Sequence, residues 1–422
     1  MIGVLQMTNS LSKAIQDYSR PFKTEEDYCA LIDTIGDAKI VLLGEASHGT
    51  SEFYSVRAEI TKRLIKEKGF SIIAVEGDWP SFRHVNRYVK GYEDMKMNTR
   101  EVLKSFDRWP TWMWANEEIV DLVDWLKNYN SPLASSQKVG FYGIDIYSLW
   151  ESMEELLHYL TQADPTGIDF EIAKKVVDCF EPFNHLPEHY AMATAHFPRT
   201  CTVEVEALLS SIIANEHLYP LEFEQRLNLK MNALITRNAE EYYRTSAKSD
   251  TESWNVRDEH MAEAIQELQK FHGDDVKIIV WEHNTHIGDA RATTMKDEEM
   301  VNVGQLLRER NKKDDVYAVG LGTYRGSVIA ANKWGEPFKV MNVPPAKKDS
   351  WESILHEAGA FDKLLLFNDE NRADFSQWIG HRAIGVVYNP EYEAYGNYVP
   401  SIIGDRYDAF IFIDETSAIT PL

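Results

Sequence analysis

The sequence predicts an α/β protein: a mainly parallel sheet flanked by helices in three layers, α/β/α, with one large helical insertion. Short apolar runs that end in glycine or a charged residue alternate with longer stretches of helical period. The first such pair forms a clear strand–helix crossover. In contrast, residues 147–271 contain helical patterns and no convincing strand, which indicates an insertion between two strands of the sheet.

Eight short apolar runs are predicted to be the strands of this sheet. They are Lys39–Leu43, Ser71–Val75, Val139–Ile144, Val276–Trp281, Val316–Gly320, Leu364–Phe367, Ile384–Val387 and Phe410–Ile413. After the first of them, Thr50 or Ser51 is the expected N-cap of a helix that runs to about Lys68. Gly69 is the expected C-terminal stop of that helix, directly before the next strand.

The domain organisation follows from the position of the strand-free block. Residues 1–146 and 272–422 are expected to form an α/β core domain that carries the active-site cleft. Residues 147–271 are expected to form a helical insertion that acts as a wall or lid of this cleft.

Composition and charge exclude several classes of function. The 422 residues are 44% hydrophobic and 26% charged, which is ordinary for a folded soluble protein. Lys+Arg 44 against Asp+Glu 67 gives a net charge of −23. Such a field repels phosphate backbones and anionic membrane surfaces, so neither nucleic acid nor membrane is the expected partner. A small neutral or cationic molecule fits better.

Cysteine usage and the N-terminus indicate a cytoplasmic protein. Cys29, Cys179 and Cys201 are too few and too scattered for a disulfide framework, and no Cys-x-x-Cys pair is present. The first twenty residues lack the basic head and apolar run of a signal peptide. Nowhere does an apolar run reach the length of about 18 residues that a membrane helix needs.

Polar residues gather where the predicted strands end. Glu45 and His48 follow the first strand, Glu76 the second, Asp145 the third, and His283 and His286 the fourth. Ligands of open α/β sheets bind beyond the carboxyl ends of the strands. Parallel neighbouring strands would therefore bring carboxylates and histidines together at one edge of the sheet.

His48 is the best candidate for a general base that activates water. It lies in a glycine-flanked loop before a helix N-terminus, whose N–H groups and dipole can stabilise an oxyanion. Glu45 lies three residues before it, and Arg57 in the following helix would return positive charge to an acidic pocket. Each residue also has a structural alternative, since strand-end acids often cap helices and strand-end histidines often only pack.

Other chemistries have weaker support. Ser47 precedes His48, but the glycines at 44 and 49 do not give the Gly-x-Ser-x-Gly spacing of a nucleophile elbow, so we interpret Ser47 as a loop hydrogen-bonding residue. Neither a phosphate-binding P-loop nor a dinucleotide glycine fingerprint is present in the sequence. The aromatic stretch Phe106–Trp114 is interpreted as packing of helix against sheet, with a substrate-facing wall as the alternative.

At these residues the sequence resembles the erythromycin esterase family, whose members are also described in connection with succinoglycan biosynthesis. The blocks that carry the resemblance span most of the chain: GEASHGTSEF at 44–53 with Arg57, AVEGDWP at 74–80, FYGIDIYSL at 141–149, WNVRDEHMA at 254–262, WEHNTHIGD at 281–289, RAIGVVYNPEYE at 382–393 and YDAFIFIDETSAITPL at 407–422.

The resemblance implies a hydrolase in which a histidine activates water to cleave an ester or macrolactone, without an acyl-enzyme, a cofactor or a required metal. By position, His48 is the implied base and Glu76 its supporting carboxylate. Glu45, Arg57, His283 and His286 match the other polar positions of the family cleft. Macrolide substrates and a part in antibiotic resistance are implied more weakly, because shared motifs indicate chemistry better than specificity.

Two rival functions stay open at the level of sequence. One is a metal-dependent hydrolase or phosphoesterase in which His48, Glu76, His283 and His286 hold Zn²⁺ or Mn²⁺. The other is a non-catalytic protein that binds a small ligand or haem, as the related ChaN-like fold implies. The sequence does not indicate an oligomeric state.

Overall fold

A computed structural model describes residues 2–92, 96–163, 167–197 and 199–422. The chain forms two compact units. The first comprises Met1–Ala74, Val85–Phe141 and Asp275–Leu422, and the second comprises Val75–His84 and Tyr142–Asp274. The second unit is thus wider than the predicted 147–271 insertion and takes in ten residues around the end of the second predicted strand. A role for it as wall or lid stays a proposal.

The strands and helices have the following bounds. The strands are β1 (Arg20–Pro21), β2 (Ile40–Leu43), β3 (Ile72–Asp78), β4 (Gly140–Asp145), β5 (Ile278–Trp281), β6 (Val316–Ala330), β7 (Lys339–Val343), β8 (Lys363–Leu366), β9 (Ile379–Arg382), β10 (Tyr398–Ser401) and β11 (Ala409–Thr416). The helices are α1 (Ile2–Tyr18), α2 (Glu25–Ile35), α3 (Ser51–Lys68), α4 (Trp79–Lys90), α5 (Thr99–Leu103), α6 (Glu117–Asn130), α7 (Leu149–Ala163), α8 (Ile168–Phe180), α9 (Pro187–His196), α10 (Thr202–Asn215), α11 (Phe223–Ser246), α12 (Asp250–His272), α13 (Asn284–Ile287), α14 (Val303–Arg310), α15 (Trp351–Glu357), α16 (Glu393–Gly396) and α17 (Ile403–Arg406).

A nine-stranded sheet organises the fold, and it confirms the predicted class. The strand order is β1-β8-β11-β6-β2-β5-β3-β4, with β7 paired to β6. β2 pairs in parallel with β5 and with β6, and β11 pairs in parallel with β6. β8 and β7 run antiparallel to their neighbours, so the sheet is mixed but mainly parallel.

The centre of the sheet is strand-forming because its residues are apolar and buried on both faces. All four residues of β2 and all four of β5 are buried, as expected for parallel strands covered by helices. Helix α3 begins after Thr50 and ends at Gly69, which adopts the left-handed conformation. The predicted first crossover is therefore confirmed at both ends.

Two strand predictions need correction. The strand predicted at Val316–Gly320 continues to Ala330, because its second half pairs with β7 in a hairpin that the sequence did not indicate. Ile384–Val387 is not a strand. Its backbone forms single bonds with loops, including Ile384 N–H to the Ala46 carbonyl at 2.8 Å, instead of a ladder. The small sheet of this region is β9 with β10.

Helices α7–α12 build most of the second unit, as the helical periodicity predicts, and among its described residues strand structure is confined to the ends of β3 and β4. A disulfide between Cys179 and Cys201 contradicts the expectation drawn from cysteine number and spacing. The two residues are 22 apart in sequence, but α8 and α10 pack together and bring their Cα atoms within 5.9 Å.

Location in the cell is not shown by these features. The cytoplasmic prediction rested partly on the cysteines, and the disulfide removes that support. Across the described ranges, no helix combines the length and apolar character needed to cross a membrane.

Candidate active site

The loop between β2 and α3 carries His48 and is held by contacts from three directions. A Cβ at Gly44 would overlap the side chain of Asn284, so glycine there lets the segment after β5 approach this loop. The Tyr54 hydroxyl donates to the His48 carbonyl at 2.8 Å and lies 3.0 Å from the Met113 carbonyl. The loop is therefore positioned by backbone contacts and is buried.

Ser47 has the structural role that its spacing predicts. Its hydroxyl lies in close contact with the Thr50 hydroxyl, and its backbone forms a bridge with Ile384. The aromatic stretch also packs: Trp112, Met113 and Trp114 are buried, which favours the packing interpretation of these residues over a substrate-facing wall.

His48 forms a hydrogen-bonded array with Glu45 and Arg57. Nδ1 of His48 lies 2.9 Å from one oxygen of Glu45, and the other oxygen of Glu45 accepts from Arg57 at 2.5 Å. All three residues are buried. An ionised carboxylate can only accept, so Nδ1 of His48 carries the proton and Nε2 is the basic nitrogen.

Arg57 is positioned by the helix on which it lies and by aromatic rings. Its Nε donates to the Phe53 carbonyl at 3.2 Å, one turn earlier in α3. The guanidinium centre lies 4.8 Å from the Tyr54 ring and 4.5 Å from the Trp281 ring. Ring faces attract a cation, so this charge is compensated by Glu45 and by two aromatic groups.

His283 follows β5 and carries the complementary tautomer. Its Nδ1 accepts from the Thr285 backbone N–H at 3.2 Å and lies 2.8 Å from the Thr285 hydroxyl. An Nδ1 that accepts a hydrogen bond leaves the proton of a neutral imidazole on Nε2. The ring centroids of His48 and His283 are 5.0 Å apart, so one ring offers a basic nitrogen and its neighbour offers an N–H donor.

His286 and Glu282 lie in the same segment as His283 and are buried. His286 is on α13, a helix of only four residues. The structure therefore places five of the six predicted site residues, Glu45, His48, Arg57, His283 and His286, in the first unit, where Glu45 contacts Nδ1 of His48.

Glu76 belongs to a second group of charges, in the second unit. Arg257 donates to Glu76 at 2.7 Å and forms a two-pronged pair with Asp145 at 2.9 and 2.7 Å. Burial opposes the charge of Arg257, but Asp145, Tyr147 and Glu76 raise the pKa of its guanidinium well above the ordinary value. At Tyr147 burial acts in the opposite direction and raises the pKa of the hydroxyl, because it disfavours the charged phenolate. Arg257 therefore joins Glu76 and Asp145 in one buried ion-pair group.

His260 is buried in the same unit and is neutral at physiological pH. Burial lowers the pKa of its imidazole from 6.5 to about 4, an effect that the nearby Asp145 only partly opposes. Nδ1 of His260 lies 2.8 Å from the Asn238 side-chain amide. The sequence analysis did not single out His260 or Arg257, although both lie in the WNVRDEHMA block.

Potential metal ligands do not form a clear site. Within the part of the chain that the structure describes, no group of three or more His, Cys, Asp or Glu side chains is arranged to hold a metal ion.

The mainly parallel sheet with flanking helices defines an α/β protein, and the buried histidine–carboxylate–arginine array lies after its strand β2. The chain belongs to the erythromycin esterase family, because the sequence model of this family matches residues 65–416. Glu76, His283 and His286 lie within that match, whereas Glu45, His48 and Arg57 precede it.

Two relatives are similar over most of their length. One is a putative hydrolase, YbfO, of Bacillus subtilis strain 168, 24% identical over 402 residues that cover 91% of this chain and 84% of the relative. The other is an erythromycin esterase type II from Escherichia coli, 24% identical over 388 residues, 84% of this chain and 88% of the relative. Family and names point to a hydrolase.

Solved structures share the fold. A Bacillus cereus protein superimposes with a TM-score of 0.78 at 20% identity over 98% of this chain and 99% of its own. A succinoglycan biosynthesis protein gives 0.75 at 22% identity over 98% of both chains. An erythromycin esterase mutant in its open conformation gives 0.67 at 16% identity, over 94% of this chain and 98% of its own.

Proposed function

We propose that this protein is a carboxylic ester hydrolase in which His48 activates water for attack on an ester or macrolactone. The observation that carries the proposal is the buried array in which Arg57 holds Glu45 and Glu45 holds Nδ1 of His48. This array leaves Nε2 of His48 as the basic nitrogen. Such an arrangement is the ordinary requirement for a histidine general base.

Glu45 supplies two effects in this proposal. It fixes the tautomer and the ring orientation of His48, and its negative charge stabilises the imidazolium that forms when water is deprotonated. Arg57 compensates the negative charge of Glu45 through their 2.5 Å contact, and the Tyr54 and Trp281 rings pack against its guanidinium. The buried surroundings strengthen both interactions.

The proposed reaction uses both histidines. His48 Nε2 takes a proton from water as the water oxygen bonds to the ester carbonyl carbon, and Nε2–H of His283 stabilises the resulting oxyanion. When the tetrahedral intermediate collapses, the ester C–O bond breaks and His48 returns its proton to the leaving alkoxide. The products are a carboxylate and an alcohol, and no covalent enzyme intermediate forms.

The choice of substrate rests on the relatives. The E. coli relative is named an erythromycin esterase, which supports an ester or macrolactone substrate and, with it, a part in macrolide resistance. The net charge of −23 favours a neutral or cationic small molecule. That Glu76 and His286 serve the same reaction, and that the protein acts in the cytoplasm, remain predictions from the sequence.

The test is a hydrolysis screen of wild type and His48→Asn with macrolactones and simple esters, each with and without a chelator. Loss of a general base reduces turnover by about 10²–10⁴-fold, so His48→Asn should lose most of its kcat and keep its fold. His356→Asn is the matched control, because His356 lies half-buried against Asp414, outside the array. It should keep wild-type turnover.

Other outcomes point to the rival functions. If chelation abolishes turnover and the purified protein holds stoichiometric metal, the metal-dependent hydrolase replaces our proposal. If no ester is cleaved and titration with haem produces a Soret band, the ligand-binding interpretation replaces it. Turnover that survives His48→Asn would place the base elsewhere.

A further inference from the structure

The segment that carries His283 and His286 is held mainly by groups from other parts of the chain. α13 is only four residues long, so its own hydrogen bonds define little of its position. The Asn284 side chain donates to the Leu321 carbonyl at 2.7 Å, and Asn302 donates to the Thr285 carbonyl at 2.8 Å. The Asn284 N–H also donates to the Glu45 carbonyl at 2.8 Å, and a further anchor on this segment comes from the C-terminal region.

That anchor is Arg406, the last residue of α17. Its guanidinium donates to the Asn284 carbonyl at 2.9 Å, and its own backbone carbonyl accepts from the Asp289 N–H at 3.1 Å. Arg406 therefore contacts the histidine segment at both ends. Gly288 lies directly against it, since a Cβ there would approach Nε of Arg406 to 2.6 Å.

Arg406 places a charged side chain in the interior of the protein. It is 1% exposed, and its hydrogen-bond acceptors are the Asn284 carbonyl and the Ser401 hydroxyl, the latter at 2.8 Å. Among the described residues it forms no ion pair, and its Nε has no acceptor. Burying a charge without a carboxylate partner is costly, so a purely structural role would be better served by an apolar side chain.

A buried polar network begins at the residue that follows Arg406. Tyr407, the next residue, packs its ring against Gly288 and places its hydroxyl 3.2 Å from Nε2 of His381. Nδ1 of His381 lies 2.6 Å from Glu352. Burial lowers the pKa of His381; burial also opposes the charge of Glu352, but His381 and Arg382 together lower the pKa of this carboxyl. Both residues are fully buried.

We infer that Arg406 is a positioning residue for the histidine segment: it holds the backbone of residues 284–289 so that His283 and His286 keep the orientation that hydrolysis needs. The inference rests on the proposed function of His283. It goes beyond that function because it assigns a role to a residue whose side chain hydrogen-bonds to Asn284 and Ser401 and not to His48 or Glu45.

Kinetics provide the first test, with Arg406→Met, Arg406→Lys and the double variant Arg406→Met with His283→Asn. Supporting residues around a reactive group typically contribute about 10–100-fold, so Arg406→Met should lower kcat by that factor with little change in KM. Arg406→Lys should recover part of the loss. In the His283→Asn background, Arg406→Met should cost less than about 3-fold, because both changes act through one group.

Arg372→Met is the matched control. Arg372 also donates to backbone carbonyls of the C-terminal region, those of Gly404 and Tyr407, but it does not bond to the histidine segment. An equal loss of kcat in Arg372→Met would overturn the inference, since it would show a general loss of stability. Equal factors in both His283 backgrounds would overturn it as well.

A second readout separates this inference from the proposed function. In protein labelled with ¹⁵N-histidine, Arg406→Met should shift the imidazole signals of His283 and His286 and leave that of His356 in place. This holds even if the protein cleaves no ester. If Arg406→Met does not fold, Arg406→Lys carries the same test. Unchanged His283 and His286 signals in a folded variant would overturn the inference.

Discussion

The tautomers of two histidines determine what the candidate site can do. His48 donates from Nδ1 to a carboxylate, whereas His283 accepts at Nδ1 from a backbone N–H. Two rings of the same residue type, with centroids 5.0 Å apart, thus have opposite roles. Neighbouring groups with opposite proton-transfer roles are what acid–base chemistry at one bond requires.

At the same scale, Glu45→Gln should lower both the activity and the stability of the protein. The amide keeps the shape of the carboxylate but lacks the charge that stabilises the His48 imidazolium, so we expect kcat to fall by about 10²–10⁴-fold. Leaving the buried Arg57 without its carboxylate should cost stability of about 3–5 kcal/mol. Steady-state kinetics and urea unfolding measure the two effects.

The double variant Glu45→Gln with Arg57→Met is the control for this prediction. It removes both charges, so most of the stability should return while kcat stays low. If turnover returned together with stability, Glu45 would be a structural partner of Arg57 only, and the proposed role toward His48 would be wrong.

The sequence named candidate residues for this site but did not indicate how they pair. Glu45 and His48 were candidates because they follow a strand in the loop before a helix, and Arg57 because it lies two turns into that helix. Which carboxylate supports His48 depends on the path of a short loop, and loop geometry is not encoded in a periodic pattern. Glu76, the carboxylate implied by resemblance, forms its described pair with Arg257, from a helix 181 residues later in the chain.

Among the elements, the turn that leads into α3 depends on one close backbone approach. Gly49 accepts from the Ile329 N–H at 3.0 Å and also lies against its carbonyl oxygen, which a Cβ at Gly49 would overlap. These contacts with Ile329 hold the turn that carries His48 against the second half of β6. This half of β6 is the part that the sequence analysis missed.

Gly49→Ala should therefore loosen the turn. We expect a loss of about 1–3 kcal/mol in the free energy of unfolding, with a fall in kcat because His48 is the preceding residue. Gly385→Ala is the matched control, since a Cβ there meets nothing within 4 Å. Urea unfolding and ester turnover of both variants check this. A Gly49→Ala protein as stable as Gly385→Ala would contradict it.

Element predictions succeeded where a local pattern is sufficient and failed where pairing is non-local. β2, β5 and α3 have apolar runs, caps and a glycine stop that local chemistry explains. The missed pairing of β7 with β6 is a local hairpin, but the loop contacts of Ile384–Val387 depend on partners far along the chain. The same holds for the Cys179–Cys201 disulfide.

For the whole molecule, the buried His260 predicts a specific loss of stability in acid. The pKa of His260 is lowered from 6.5 to about 4 in the folded protein, mainly by burial. Above pH 6.5 neither state binds the proton. Between pH 6.5 and about pH 4, His260 is protonated in the unfolded chain but neutral in the folded chain. The free energy of unfolding therefore falls as the pH falls across this window, by about 1.4 kcal/mol per pH unit.

His260→Gln tests this, because glutamine retains an acceptor for Asn238 and does not titrate. Between pH 7 and pH 5, wild type should lose about 2 kcal/mol more unfolding free energy than His260→Gln. The exposed His158→Gln, from the same unit, should follow wild type. Identical pH dependence in wild type and His260→Gln, measured by urea unfolding, would show that His260 is not buried neutral.

The sequence by itself determined the α/β class, the central strands, the first crossover and the net charge, and it proposed the residues of the candidate site. Local periodicity, caps and strand-end residues depend on neighbours in the chain, so they can be recognised from the sequence alone. Only the tertiary structure decided that Glu45 holds His48, that the cysteines pair and that Arg406 contacts Asn284. These contacts join residues whose distances are set by packing and loop paths, which no local pattern records.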